Sequence, residues 1–447
     1  MIKFNAGHRV KLLDTRPISI DLFAGVGGLS LGLEWAGFFS ATHVELDEIA
    51  SRYAEYNFPL ADHFGGSDRG DVRRVTAEDV LESVGHREVA LIAGGPPCQG
   101  FSNVGLRRVE DPLNDLVLEM ARLILTVRPR AFLIENVPGI QGKDYWQLEK
   151  ALEMLAAEYR IAPSTVLFAP EFGVPQIRKR LFIVGVRADL GLTPELPPPT
   201  HGSAENERTP FPLPCTPTVG DAILDVPDCD QYPHLVDDDE VQYEVPPHSS
   251  FARMMRVSGE LDERRGYTVD WNSQICTNVR RTQHGPDLVG RLSGLGPGVT
   301  DPASRIKRLA ADGLCTTIRA GTTAERGAWS APRPCHPTLS RVLTTRECAR
   351  IQSFPDWFRF HPSKWHGNRQ VGNAVPPLLA KAVGEAILRA LKIPSLLSEP
   401  LVVPRDPGLI EADLASAKSA GFGRRRMSHQ VVGTDRRARR ASRTAER

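Results

Sequence analysis

The chain reads as an α/β protein, a doubly wound and mostly parallel sheet with a smaller, loop-rich second domain. Three features predict this. Residues 18–190 alternate short apolar runs with stretches of helical periodicity, the pattern of strands and the helices that cover them. Glycines and prolines collect where the apolar runs end, marking turns at a sheet edge. Beyond residue 190 the periodicity fades, and the proline-rich LTPELPPPTHGS (192–203) opens an irregular stretch.

Taken in order, ISIDLFAG (18–25) is a buried strand that runs into a glycine turn. GGLSLGLEWAG (27–37) is a helix, with Leu29, Leu33 and Ala36 at helical spacing. ATHVELD (41–47) is the second strand and EIASRYAEYNF (48–58) the second helix. VALIAGGPP (89–97) is a third strand that passes into a loop. Residues 113–127 form an apolar helix, RAFLIENV (130–137) a strand and YWQLEKALEMLAAEY (145–159) a helix. STVLFAPEFG (164–173) and RLFIVGVR (180–187) are strands that close the sheet. Residues 204–335 are loop-rich and mixed in charge, and helices return at 344–353 and 376–391.

With 447 residues, 41% hydrophobic and 24% charged, the chain can build one large core or two domains. No apolar run approaches the roughly 18–20 residues of a membrane span. The N-terminus lacks the apolar stretch of a secretory signal, so a cytoplasmic protein is expected. The seven cysteines are odd in number and none forms a CxxC pair. That argues against a disulfide framework and against structural zinc, so no metal is expected. From Lys418 onward ten basic residues face two acids, a net +8 on a chain of net +1. Such a tail is expected to be disordered and able to attract nucleic acid. The acidic run Asp237 to Glu240 reads as a solvent-facing loop.

Several segments end at the carboxyl edge of the sheet, where folds of this class bind ligands. The first is Asp21-Leu22-Phe23-Ala24-Gly25-Val26-Gly27-Gly28. Its glycines permit a tight turn and close approach of a ligand to a helix N-terminus, although a plain turn would also account for them. Ser30 stands where a dinucleotide fingerprint needs its third glycine, which disfavours a nicotinamide cofactor. Glu45 is placed to accept hydrogen bonds from a ribose, and Asp71 suits an adenine amino group. The next segment is Gly94-Gly95-Pro96-Pro97-Cys98. A thiol in such a polar, open loop is a candidate nucleophile rather than a core cysteine. Glu135 ends a strand, where a carboxylate is costly unless it binds something; a helix cap or an ion pair is the alternative. Gln176, Arg178 and Arg180 share one face of an extended segment by period two. They form a fork of donors for an anion or a base oxygen, or else a solvated charged strand.

Together these blocks resemble the DNA cytosine-5 methyltransferases, above all the bacterial restriction–modification type. DLFAGVGGLS is similar to the family's cofactor block and GGPPCQGFS to its nucleophile block. ENV and QIRKR follow in the family's order. RVLTTRECARIQSFP (341–355) and RQVGNAVPPLLAKAVG (369–384) are similar to its last two blocks. The resemblance covers about 17–190 and 337–392 and fades over 191–336.

The resemblance implies a fold of the S-adenosylmethionine-dependent methyltransferase kind. It makes 17–190 the catalytic and cofactor-binding domain, completed by 337–392, with 191–336 as a target-recognition domain and 393–447 as the basic tail. It implies S-adenosyl-L-methionine as cofactor, bound by Phe23, Gly25, Gly27, Gly28, Glu45, Asp71 and Asn373. Cys98 would attack C6 of a flipped-out cytosine, and Glu135 would hold N3 and the exocyclic amine. Arg178 and Arg180 would contact the base oxygen and a phosphate. Gln99, Ser102, Asn136 and Gln176 complete the substrate-binding set. Residues 99–115 would form a mobile loop over DNA, and helix 376–391 would pack back beside the first strand. One departure is Leu46, where some relatives carry an aromatic over the adenine.

The partner implied is double-stranded DNA, met by a monomer in the cytoplasm with no membrane involved. A restriction endonuclease would be a functional counterpart without a stable complex. Candidates for phosphates and guanine edges are Arg253, Arg256, Arg264, Arg265, Arg280, Arg281, Arg291, Arg305, Lys307, Arg308 and Arg319. The rival readings are an RNA cytosine-5 methyltransferase and an inactive DNA-binding relative. The long variable region argues against the first. Retention of Cys98, Glu135 and the glycine loop argues against the second. A nicotinamide oxidoreductase would leave Cys98 and the arginine pair unexplained.

Overall fold

The computed structural model describes residues 16–97, 112–141, 145–202, 213–257, 259–322, 330, 332–397 and 399–419. Cys98, Gln99, Ser102, the loop as far as residue 111 and the tail beyond 419 lie outside them.

The strands are β1 (Ile18–Leu22), β2 (Phe39–Glu45), β3 (Asp62–Gly65), β4 (Val89–Gly94), β5 (Ala131–Asn136), β6 (Tyr159–Ile161), β7 (Thr165–Phe168), β8 (Gln176–Ile177) and β9 (Lys179–Arg187). The main sheet runs β3-β2-β1-β4-β5-β9-β6, with β7 also paired to β9. From β3 to β5 every pairing is parallel, while β9 lies antiparallel to β5, β6 and β7. The expected mostly parallel α/β sheet is therefore present, with an antiparallel end.

Strands this apolar must be covered on both faces. Along β5, Phe132 and Ile134 enter one core cluster and Ala131 and Leu133 the other. β9 alternates likewise, with Leu181 and Ile183 against Phe182 and Val184. Helices Leu116–Val127 and Trp146–Ala156 supply the first cluster. Leu29 and Leu33 of helix Gly28–Ala36, with Leu379 and Val383 of helix Pro377–Ala390, supply the second. These last two helices approach so closely that a Cβ on Gly32 would lie 2.4 Å from the Ala380 Cβ. The C-terminal helix thus packs back on the first helix and closes that layer.

Residues 213–322 carry short helices, Val219–Ile223, Ser250–Arg256, Glu260–Arg265 and Pro286–Ser293. They also carry β10 (Glu240–Gln242), β11 (Tyr267–Val269), β12 (Ile275–Thr277) and β13 (Cys315–Thr316). Ile223, Val226, Leu235 and Met255 belong to the same core cluster as β1 and β5, and β13 pairs in parallel with β8. This region is fastened to the sheet rather than hinged from it.

Two expectations need correction. The segment after 393 is not disordered throughout: β14 (Leu401–Val403) pairs with β11, and Gly408–Ser419 is a helix. Ile410 is buried in the core, Asp413 pairs with Arg52 at 2.7 Å, and Arg280 donates to the Ala417 carbonyl. The arginine-rich composition begins only past this helix. The acidic run is not wholly solvent-facing either, because Asp239 is buried and pairs with Arg359 at 3.4 Å.

A buried ion pair joins the two halves. Arg265 Nε lies 2.6 Å from Glu34 Oε2, and the Tyr267 hydroxyl donates to the same carboxylate. Removing one partner strands a buried charge, at roughly 3–5 kcal/mol. Arg265→Met is therefore expected to lower the unfolding free energy by an amount of that order, and Glu34→Met/Arg265→Met to recover much of it. Calorimetry checks this; a single variant as stable as the parent contradicts it.

Candidate active site

Because β1, β2, β4 and β5 are parallel neighbours, their carboxyl ends open into one crevice. After β1, Phe23, Gly25 and Gly27 all take positive φ, at 61°, 57° and 94°, and the chain turns into helix Gly28–Ala36. The Gly25 amide donates to Glu45 Oε2 at 2.8 Å, and the Asp47 amide to Oε1 at 2.7 Å. Burial pushes the Glu45 carboxyl up, and those two amides oppose the shift. Among the described residues, apart from its chain neighbours, no atom lies within 4 Å of where a Gly25 Cβ would sit, so the loop is open to them on that side. Asp71 stays acidic because Arg73 grips it, Nε to Oδ1 at 2.8 Å and Nη2 to Oδ2 at 2.7 Å. A Cβ on Gly28 would meet the Val375 carbonyl at 2.6 Å. That approach brings exposed Asn373 to the same loop. Leu46 is half exposed beside Glu45.

On the β5 side, Glu135 is 8% exposed and Arg180 Nε lies 2.9 Å from its Oε1. Burial drives this carboxyl above the ordinary range, opposed by Arg180 and then Arg178. A Cβ on Gly95 would come within 2.8 Å of Glu135 Oε2, so the acid lies directly against the chain leading to Cys98. Asn136 clamps that chain, donating from Nδ2 to the Pro96 carbonyl at 2.9 Å. Its Oδ1 accepts from the Val137 amide.

Gln176 and Arg178 are buried while Ile177 and Lys179 are exposed, in the alternation of an extended strand. In the free protein the buried pair is held by the protein's own groups. Arg178 donates to the carbonyls of Ile318 at 3.2 Å, Gly372 at 2.9 Å and Ala374 at 2.9 Å. Gln176 bonds the Gln352 amide side chain and accepts from the Ile318 amide. Gln352 in turn donates to the Ala374 carbonyl at 2.7 Å. A buried guanidinium needs partners for its fixed donors, and here backbone carbonyls take both Nη groups while Nε has no partner among the described residues. Only Arg180 turns its charge to Glu135.

The sequence profile described as "C-5 cytosine-specific DNA methylase" matches residues 18–389. The chain belongs to this family. The methylase is 41% identical to the "Type II methyltransferase M.XorII" of Xanthomonas oryzae over 92% of its own length and 93% of that protein. It is 31% identical to "Type II methyltransferase M.DdeI" of Desulfomicrobium norvegicum, over 82% and 88% of the two chains. Among solved structures it resembles a DNA modification methyltransferase encoded within an E. coli prophage. The TM-score is 0.67 and the identity 31%, covering 84% of this chain and 99% of that one. It is a cytosine-5 DNA methyltransferase of the Type II restriction–modification kind. No helix among the described residues is long and apolar enough to cross a membrane.

Most of the basic residues of the methylase's variable region are already engaged. Arg265 holds Glu34. Arg308 donates to four backbone carbonyls, and Arg280 to two. Arg256 donates to the Val245 carbonyl. Arg264, Arg281 and Arg291 pair with Glu260, Asp230 and Asp301. A cavity of about 240 Å³ lined by Leu224, Asp225, Glu244 and His336 shares none of the crevice residues.

One crevice acid escaped the sequence reading. Asp21, at 1% exposure, accepts a hydrogen bond from the Ser30 hydroxyl, and burial pushes it up to about 7. The signal was Ser30 itself, a hydroxyl in place of a glycine. Because the folded-state pKa lies above the unfolded value, the native methylase binds a proton that the unfolded chain releases. Asp21's contribution is full below the ordinary carboxylate range and lost as pH rises through about 7. Melting temperatures from pH 5 to 8 should therefore fall less in Asp21→Asn than in the parent. Parallel curves would contradict this.

Proposed function

We propose that this methylase transfers a methyl group from S-adenosyl-L-methionine to C5 of a cytosine flipped out of duplex DNA, through a covalent bond between Cys98 and C6. The observation that carries the reading is the buried Glu135–Arg180 pair, 2.9 Å apart, set against the Gly95–Pro96 backbone two residues before Cys98.

The open glycine loop suits the cofactor. Phe23, Gly25, Gly27 and Gly28 would lie along it, Glu45 would accept from its ribose hydroxyls, and Asp71 and Asn373 would close the adenine and methionine ends. When bound, this group supplies an electrophilic methyl on a cationic sulfur. A glutamate already accepting two backbone amides is held rigidly for ribose, and Leu46 offers an aliphatic cover.

The protein's own groups prepare the base. C5 of cytosine is a poor nucleophile. Addition of the Cys98 thiolate to C6 gives C5 enamine character, provided N3 receives a proton or a strong hydrogen bond. Glu135 is suited to this because burial favours its protonated form. Arg180, already on that carboxylate, can turn a donor to the base O2. After transfer, loss of the C5 proton and departure of the Cys98 thiolate restore the C5–C6 double bond. The target base lies inside a duplex, so it must be extruded, at a cost of a few kcal/mol. Gln99, Ser102 and the 99–115 loop would cover it. Gln176, Arg178 and Asn136 act by positioning the strands that carry these groups. Residues 191–336 would choose the target sequence.

The relatives' names support a role as the modification half of a restriction–modification pair. Bisulfite sequencing of plasmid from cells expressing the methylase should show one methylated motif, and that plasmid should resist an endonuclease cutting it. Glu135→Gln should lose at least a hundredfold in methylation rate, as loss of acid catalysis does, while still binding cofactor by calorimetry. Unmodified plasmid from cells holding soluble parent would sink the reading.

A further inference from the structure

Among the described residues, Arg253, Arg305, Lys307 and Arg319 are the candidate cations of the variable region whose side chains make no ion pair and donate to no carbonyl. Arg319 differs from the others in what holds its backbone. The segment from Cys315 to Thr322 is pinned from the catalytic side at almost every residue. The Cys315 amide donates to the Pro175 carbonyl at 3.0 Å, and the Thr317 hydroxyl to the Ile177 carbonyl at 2.6 Å. Gln176 and Arg178 take the amide and the carbonyl of Ile318. Asn368 donates to the Arg319 carbonyl itself at 3.0 Å, and Trp365 to the Thr322 carbonyl at 3.1 Å. The backbone presses so close that a Cβ on Gly372 would lie 2.5 Å from the Ala320 amide nitrogen.

The consequence is a rigid mount for an exposed guanidinium. It sits one residue from the carbonyl that Arg178 holds, and Arg178 lies two residues from the Arg180 that faces Glu135. On the other side the Arg319 backbone lies against Gly372, the neighbour of Asn373, where a Cβ would be 2.6 Å from the Arg319 carbonyl carbon. With the backbone already fixed, a contact at the guanidinium has only side-chain freedom to overcome. No carboxylate among the described residues answers its charge, which leaves the guanidinium available to an anionic ligand.

We propose that Arg319 binds a DNA phosphate beside the target nucleotide and so fixes the strand at the mouth of the crevice. This rests on the reading of that crevice as the site of cytosine methylation.

The test uses the full-length protein with S-adenosylhomocysteine and two duplexes, one containing the motif mapped by bisulfite sequencing and one with it scrambled. Affinity is measured across a salt series. Arg319→Ala should flatten the slope of log K against log salt by about 0.9, the value for one phosphate contact. The loss should be alike on both duplexes, because phosphates carry no sequence. Arg319→Lys should keep most of the slope, and the melting temperature and S-adenosylhomocysteine affinity should not change. An unchanged slope in Arg319→Ala, with the parent active, overturns the assignment. So does a loss confined to the duplex with the motif, which would mean a base contact. A parent that binds cofactor yet methylates no DNA would instead overturn the reading on which the assignment rests.

Discussion

Burying one carboxylate, Glu135, sets most of the local design. A charge at that depth is costly without a partner, and Arg180 supplies one at 2.9 Å. The same burial makes the acid willing to hold a proton, the property that the proposed chemistry at cytosine N3 requires. It also constrains the neighbours. Glycine at position 95 leaves the carboxylate its place, since a Cβ there would lie 2.8 Å from Oε2 and the acid would have to shift. Asn136 must spend its amide on the Pro96 carbonyl so that the chain toward Cys98 starts from a fixed point.

Arg180 can serve Glu135 only because the rest of its strand is anchored. Arg178 ties β8 to the Ile318 carbonyl and to the carbonyls of Gly372 and Ala374. The Gln176–Gln352 contact adds helix Thr345–Ile351 to the same knot, Gln352 being its C-cap. Segments some 140 to 200 residues apart in sequence meet here. The variable region and the segment at Asn373 are thereby held in one frame with the acid. Stable attachment of the variable region is reinforced at its far side by Arg265 and Glu34.

The sheet was legible because its strands are apolar runs punctuated by glycine, and Phe132 to Ile134 show both faces buried. The short strand Asp62–Gly65 was not, since four residues carry too little pattern. Helix Lys364–Asn373 escaped for another reason: it buries Asn368 and Gln370 rather than an apolar stripe. At the site, period two put Gln176, Arg178 and Arg180 on one face. It could not distinguish a cation that meets an acid from one that meets carbonyls, because those carbonyls lie far along the chain. Asp239 likewise read as part of a solvent-facing run, because Arg359 opposite it lies 120 residues further along the chain.

The central claim is a covalent bond between Cys98 and C6, formed beside Glu135. It is tested most directly with duplex DNA carrying 5-fluorocytosine in the mapped motif and tritiated S-adenosyl-L-methionine. Fluorine cannot leave C5 as a proton does, so the reaction should stop with DNA attached to protein. The account predicts a labelled protein–DNA adduct with the parent that survives denaturation and is absent in Cys98→Ser. An adduct of equal yield in Cys98→Ser, or none with a parent that methylates ordinary DNA, would contradict it.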